Sequence, residues 1–218
     1  MKKKMLAAVM TVVMVVVCMT GCSNSAKRDT AVKTAEDYGM LKAESFDQAI
    51  YNNYLGNLVF YISKDSEEAD RIRDSYLKIE RGVDYGIKET IWCAENIGGT
   101  PNEPVSDAKT VPQMRTSILV MTAKDAKSAK ELYEANAEWI LKHEGVTRTT
   151  NNVDYAIEYC AFDLGGDRDA ESFYGAYLKG NTVIWIDGFT NADSIDDCTE
   201  HFCKNLELIS PLTLRDNV

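Results

Sequence analysis

Histidine and proline are scarce, with two His and four Pro among 218 residues. Two imidazoles leave little room for a His-rich metal centre or for a nucleophile activated by a neighbouring His. Positive charge is in deficit as well. The 24 Lys and Arg stand against 34 Asp and Glu, a formal net charge of −10, which argues against a nucleic-acid face because phosphates demand a basic surface. The sequence contains no G-x-S-x-G, no P-loop, no G-x-G-x-x-G and no H-E-x-x-H, which removes the usual motif-level routes to an enzyme, and no motif implies a cofactor. What is there is the composition of a folded chain. At 45% hydrophobic and 27% charged it is too apolar for disorder, and its length supports one domain or two small ones around a buried core.

The first residues carry an address. Lys2, Lys3 and Lys4 form a basic start, and Met5 to Met19 is almost wholly apolar. That run has the length of a signal-peptide core and falls short of the roughly 20 residues a spanning helix needs. Met19-Thr20-Gly21-Cys22 follows, and then the polar Ser23-Asn24-Ser25. This segment resembles the signal of bacterial lipoproteins, in which small residues precede a lipidated Cys that becomes the first mature residue. Met19 stands where Leu is commoner in that pattern. The resemblance implies that residues 1–21 are removed, that Cys22 is acylated, and that the protein sits on the extracytoplasmic face of a bacterial cell membrane. Loss of 1–21 leaves 21 basic against 34 acidic residues, or −13, so anionic headgroups would repel the body and the acyl chains alone would hold it. Residues 22–36 are small and polar and read as a flexible tether, which leaves 37–218 as a single α+β domain.

Within that domain the chain repeats itself. Val83-Asp84-Tyr85-Gly86-Ile87 parallels Val153-Asp154-Tyr155-Ala156-Ile157, and Trp92-Cys93-Ala94 with Gly98-Gly99 parallels Tyr159-Cys160-Ala161 with Gly165-Gly166. A strand-like run and a helix precede each copy. Asp65 with Glu68 three residues later reads as an N-cap and capping box for the first helix, with Gly82 as its stop. Asp125 caps the second, and Ile195, Cys198, Phe202, Leu206 and Ile209 mark a third by their helical spacing. Val153, Tyr155, Ile157 and Tyr159 alternate with polar or small residues, as in a half-buried strand. A hairpin is expected around Lys179-Gly180-Asn181. Strands near 57–63, 83–95, 116–122 and 151–162 with two intervening helices predict a ferredoxin-like β-α-β-β-α-β split unit, extended by a hairpin and a third helix, with helices over one face of the sheet. Residues 100–113 hold three of the four prolines and read as the connection between repeats. Residues 37–56 fit either a helix or a strand.

Four cysteines besides Cys22 remain in the mature chain: Cys93, Cys160, Cys198 and Cys203. An exported protein with an even number invites disulfides, while free Cys also packs as a small hydrophobe, so both states stay open. Cys198 and Cys203 should not bond each other, since five residues of helix separate them by about 7.5 Å of rise. Nor do Cys198, His201 and Cys203 make a metal site, because helical phase sets them apart, and His143 reads as a helix C-terminal residue. Asp163, Asp167, Asp169 and Glu171 cluster in a glycine-containing loop. Asp167-x-Asp169-x-Glu171 imitates the start of a calcium loop, but Ser172 and Leu178 stand where that loop needs Gly and Glu, so a solvated acidic turn is the simpler reading. Eleven Tyr and three Trp are a surplus, with Tyr51, Tyr54, Tyr61, Tyr174 and Tyr177 near expected strands, and packing against the sheet accounts for most of them.

Two functions follow as expectations, and a third, a solute-capture lipoprotein, is disfavoured because a chain this short leaves little for a two-lobed cleft. The first is a non-enzymatic binding or accessory domain tethered through Cys22, whose partners are the bilayer and another envelope protein. The second is a cell-surface hydrolase built on the carboxylates of Asp163, Asp167 and Asp169.

Overall fold

The computed structural model describes residues 27–97, 114–142, 148–163, 169–191 and 197–217. A helix over residues 27–37 (α1) opens the described chain. It is followed by β1 (Leu41–Lys42), α2 (Phe46–Tyr54), β2 (Val59–Ile62), α3 (Ser66–Tyr76), β3 (Ile87–Ile97) and β4 (Met114–Ala123). Then come α4 (Ala126–Lys142), β5 (Arg148–Asn151), β6 (Tyr155–Asp163), β7 (Asp169–Lys179), β8 (Thr182–Thr190), α5 (Asp197–Leu206) and a closing 3-10 segment, Pro211–Asn217. The fold is α+β, built on one eight-stranded sheet in the order β1-β2-β3-β4-β8-β7-β6-β5. Only β1 and β2 run parallel; all other neighbours are antiparallel.

That strand order departs from the expected split unit, in which the strands of one β-α-β are separated by another strand. Here β2 and β3 are direct antiparallel neighbours, and β7 and β8 lie between β4 and β6. The reason is the ten residues 77–86. An α-helix of 11 residues spans about 16 Å, and that extended segment is long enough to carry the chain back along α3 before it enters the sheet. Val83–Gly86 therefore belongs to the return segment and only Ile87 begins the strand. The second copy behaves alike: Val153 lies before β6 and is 79% exposed.

Helices cover both faces, not one. Under α2, α3 and α4 lie Tyr61, Trp92, Leu119, Met121, Ala156, Ala176 and Trp185. The other face carries Phe60, Ile91, Cys93, Ile118, Ile157, Phe173 and Ile186, packed with α1, α5 and the 3-10 segment. Burial on both sides explains why β6 does not alternate as a half-buried strand: Ala156 and Glu158 are as buried as Ile157 and Tyr159. The tether expected over 22–36 is corrected as well. From residue 27 on it is helical, and Ala31 and Ala35, one turn apart, are wholly buried against the sheet, where small side chains let backbone and sheet approach closely. The ambiguous stretch 37–56 resolves into both of its options, the short β1 and then α2, whose N-cap Ser45 accepts from the Gln48 N–H at 3.2 Å.

Several local expectations hold. Asp65 accepts from the Glu68 N–H at 2.9 Å, and the Glu68 carboxylate reaches back to the Lys64 N–H at 2.8 Å, one residue beyond a standard capping box. Helix α3 stops at Tyr76, well before Gly82. Asp125 caps α4 through the Ser128 N–H at 2.8 Å. The hairpin joins Lys179 to Thr182 across Gly180 and Asn181, with Gly180 at φ 66°.

Candidate functional site

The repeat sets each long helix over its own half of the sheet. Beneath α2 and α3, Phe46, Tyr61, Tyr76 and Trp92 form an aromatic cluster in which Tyr76 stacks on Trp92 at 4.9 Å and Phe46 meets Trp92 edge-on at 5.6 Å. Beneath α4, Trp139, Tyr174 and Trp185 form a second, with centroids 5.1 to 5.9 Å apart. The paired strands β4 and β8 join the two halves, and a cleft opens over one end of that seam.

The cleft has a volume of about 460 Å³, within the range of small-molecule sites. One wall is helical: Ile50, Asn53 and Tyr54 of α2 and Tyr76 of α3. Trp92, Ala94 and Asn96 of β3, Arg115 and Ser117 of β4, and Asp187 and Phe189 of β8 make the floor. Strand alternation points these side chains to one face. Glu95 and Thr116 face away from it, and Glu95 accepts from the Tyr38 hydroxyl at 3.4 Å on the opposite side. Ile50 and Tyr54 at the rim are 42% and 38% exposed.

A transverse row of residues crosses this floor. Ala94 pairs with Ser117, Ser117 with Asp187, Asp187 with Tyr174, and Tyr174 with Glu158. The row puts a hydroxyl, a carboxyl, a phenol and a second carboxyl side by side across four strands. Ser117 Oγ accepts from Trp92 Nε1 at 2.8 Å, which leaves the hydroxyl proton for another acceptor. Burial pushes the Asp187 carboxyl up to about 6 from its ordinary value of 3.8, with Lys78 pulling weakly the other way. Burial also raises Tyr174, and the Asp187 and Glu158 carboxylates add to that rise. Glu158 is wholly buried, beyond the cleft and under α4.

Arg115 lies diagonally from Asp187, two residues along β4 from the residue that pairs with it. Neighbours of that kind stand about 7–8 Å apart, within reach of an Arg side chain, yet the charge that acts on the Asp187 carboxyl is Lys78 and not Arg115. The buried Nε of Arg115 and the buried Nδ2 of Asn53 have no hydrogen-bond partner among the described residues. Asn96 Nδ2 instead donates to the Asn53 carbonyl at 3.2 Å and ties α2 to the end of β3. The cleft thus combines apolar walls with a few converging polar groups, and two of its buried donors await acceptors.

The residues singled out by sequence lie elsewhere. Asp163 and Asp169 pair in register where β6 and β7 diverge, and Asp167 lies outside the described residues, as do His143 and the connection 100–113. Glu171 is held in an ion pair with Arg215, on the face opposite the cleft. Among the described residues no group of His, Cys, Asp and Glu is placed to hold a metal ion. Cys93, Cys160, Cys198 and Cys203 form no disulfide among the described residues; Cys160 is half-buried, the others are buried, and burial pushes the Cys93 thiol well up. Cys22 lies outside the described residues. Tyr61 and Tyr177 are core residues, whereas Tyr51 and Tyr54 are exposed on α2. Sequence reasoning missed Asp187, Arg115, Asn53 and Asn96. One signal was present: Asp187 is the lone charge in Thr182–Thr190, an otherwise apolar strand.

Among known proteins, no family model matches the chain, and no curated protein matches its sequence. A solved structure, the extracellular domain of PknH from Mycobacterium tuberculosis, aligns over 77% of this chain and 90% of its own, at 11% identity and a TM-score of 0.34. A likeness that loose assigns neither fold family nor function. No helix among the described residues is long and apolar enough to cross a membrane.

Proposed function

We propose that the chain is a membrane-anchored extracytoplasmic lipoprotein whose folded body is a non-enzymatic binding domain, and that the cleft between α2, α3 and the β4–β8 seam is where it binds a small ligand. The basic start, the apolar run and Met19-Thr20-Gly21-Cys22 support the anchor. The observation that carries the binding reading is the cleft itself: apolar walls and a floor where Arg115 Nε and Asn53 Nδ2 lack acceptors. Leaving such donors buried costs about 1–3 kcal/mol each, a penalty that a ligand offering acceptors relieves.

A thermal-shift survey of small polar and amphipathic molecules tests this on the full chain and on Asn53→Trp, whose indole would fill the mouth. At least one chemical class should raise the melting temperature of the parent and leave the variant unmoved. A survey with no hit on the parent, or with the same hits on both proteins, overturns the assignment.

A surface hydrolase is the second reading, and it now rests on Asp187 instead of the acidic loop. A half-buried carboxyl whose proton affinity burial raises to about 6 is a candidate general acid. Recovery of each stabilising molecule unchanged after prolonged incubation favours the binding domain; turnover that disappears in Asp187→Asn favours the hydrolase.

A further inference from the structure

We infer that the cleft takes a small zwitterion bearing an aromatic or large apolar group, a free α-amino acid being the simplest case, with its carboxylate on Arg115 and its ammonium on Asp187. This rests on the cleft being the binding site and names what would fill it.

Charge placement is the first argument. Arg115 and Asp187 are the cationic and anionic side chains on the face of the floor turned to the cleft, diagonal neighbours on paired strands, and among the described residues no ion pair joins them. A guanidinium with an unpartnered Nε and a carboxyl that lines the same floor without engaging it match a ligand that presents both charges. An anion alone would leave Asp187 uncompensated, and a cation alone would leave Arg115 so.

Wall chemistry is the second. Ring and branched aliphatic surface on the cleft wall comes from Tyr54, Tyr76 and Ile50, while Trp92 is already covered by Tyr76 and Phe46. A purely ionic ligand would gain nothing from these surfaces, whereas a ring or branched aliphatic chain would bury against them. Desolvation is the third. Asp187 lies in a setting that penalises its charge, and the counter-charge that acts on it, Lys78, is an exposed residue of the segment after α3. An ammonium delivered into the cleft supplies what Lys78 does not. The other wide depression, about 810 Å³ along α3, offers no such selectivity, since its lining is a solvated mixture of Lys64, Asp65, Glu67, Arg71 and Arg81.

Isothermal titration of the full chain in phospholipid nanodiscs, at pH 7.5, tests this with three matched probes: L-phenylalanine, phenethylamine (no carboxylate) and 3-phenylpropanoate (no amine). L-Phenylalanine should bind at least about tenfold more tightly than either of the others, as the loss of one charge-assisted contact requires. Arg115→Gln should erase its advantage over the amine, and Asp187→Asn its advantage over the acid. If the amine or the acid binds as well as the zwitterion, the ligand class is wrong while the cleft stands as a binding site. If none of the three binds, and the thermal-shift survey finds other ligands that Asn53→Trp excludes, the class again fails alone. If that survey is also blank, the site itself falls. The three probes on the parent protein decide the matter even if a variant does not fold.

Discussion

Asp187 shows how one side chain can set the chemistry of a surface. It occupies an interior strand position flanked by Ile186 and Gly188, where a hydrophobe would pack, and burial lifts its carboxyl to about 6. The folded form therefore holds the proton more tightly than the unfolded chain, whose carboxyl titrates near 3.8. Ionisation of Asp187 costs the fold stability above about pH 6, the cost fades as pH falls from 6 toward 4, and it is gone below the unfolded value. Lys78 pulls the carboxyl down from the α3 side and Tyr174 faces it from β7, so neither neighbour accounts for the rise. Asp187→Asn removes the charge. Its melting temperature should exceed that of the parent at pH 7.5 by the equivalent of about 1–2 kcal/mol, allowing for solvent screening at the open cleft. The gap should close by pH 4, and a gap that is the same at both pH values would refute the desolvated-carboxyl account. The sequence already hinted at this residue, a single Asp directly after Val183-Ile184-Trp185-Ile186. Its partners were not legible, because Arg115, Asn53 and Asn96 come from three other elements whose meeting depends on the strand order.

At the scale of elements, what could be read and what could not divides along hydrogen-bond range. Caps are local: Asp65, Asp125 and the Gly180-Asn181 turn are fixed by residues within a few positions of each other, and all three appear as expected. Strand order is not local. Residues 83–86 read as the start of a strand and 77–82 as the end of a helix, yet together they return the chain along α3 and make β2 and β3 antiparallel neighbours. Helix α1 was hidden for another reason. Its buried stripe is made of the small side chains Ala31, Thr34 and Ala35, so its composition reads as a polar linker even though both alanines have no exposed surface. A charge at that stripe cannot reach water without lifting the helix. Ala35→Asp should cost about 3 kcal/mol and lower the melting temperature by roughly 6–12 °C. Lys33→Ala, on the exposed side and losing only its pair with Asp37, should stay within about 0.5 kcal/mol. Indifference to both changes would return the segment to a tether.

For the whole molecule, the repeat explains why there is a cleft at all. Two strand–helix modules each bury an aromatic cluster under their own helices, and the seam between them is roofed by neither along its full length. Ligand sites favour such junctions. The opposite face, covered by α1, α5 and the 3-10 segment, is left to structural packing, and α1 is the described element nearest in sequence to Cys22, the proposed acylation site. If Cys22 is that anchor, Cys22→Ala should move the protein from the membrane pellet to the soluble or secreted fraction with its melting temperature unchanged. Retention in the pellet after a salt wash would show that something other than the acyl chains holds it. Native mass spectrometry of the full chain, released gently from its own membranes, tests the central claim most directly. A small molecule should be bound one-to-one to the parent protein and be absent from Asn53→Trp; an empty parent, or a ligand retained equally by the variant, would contradict the cleft as the site of function.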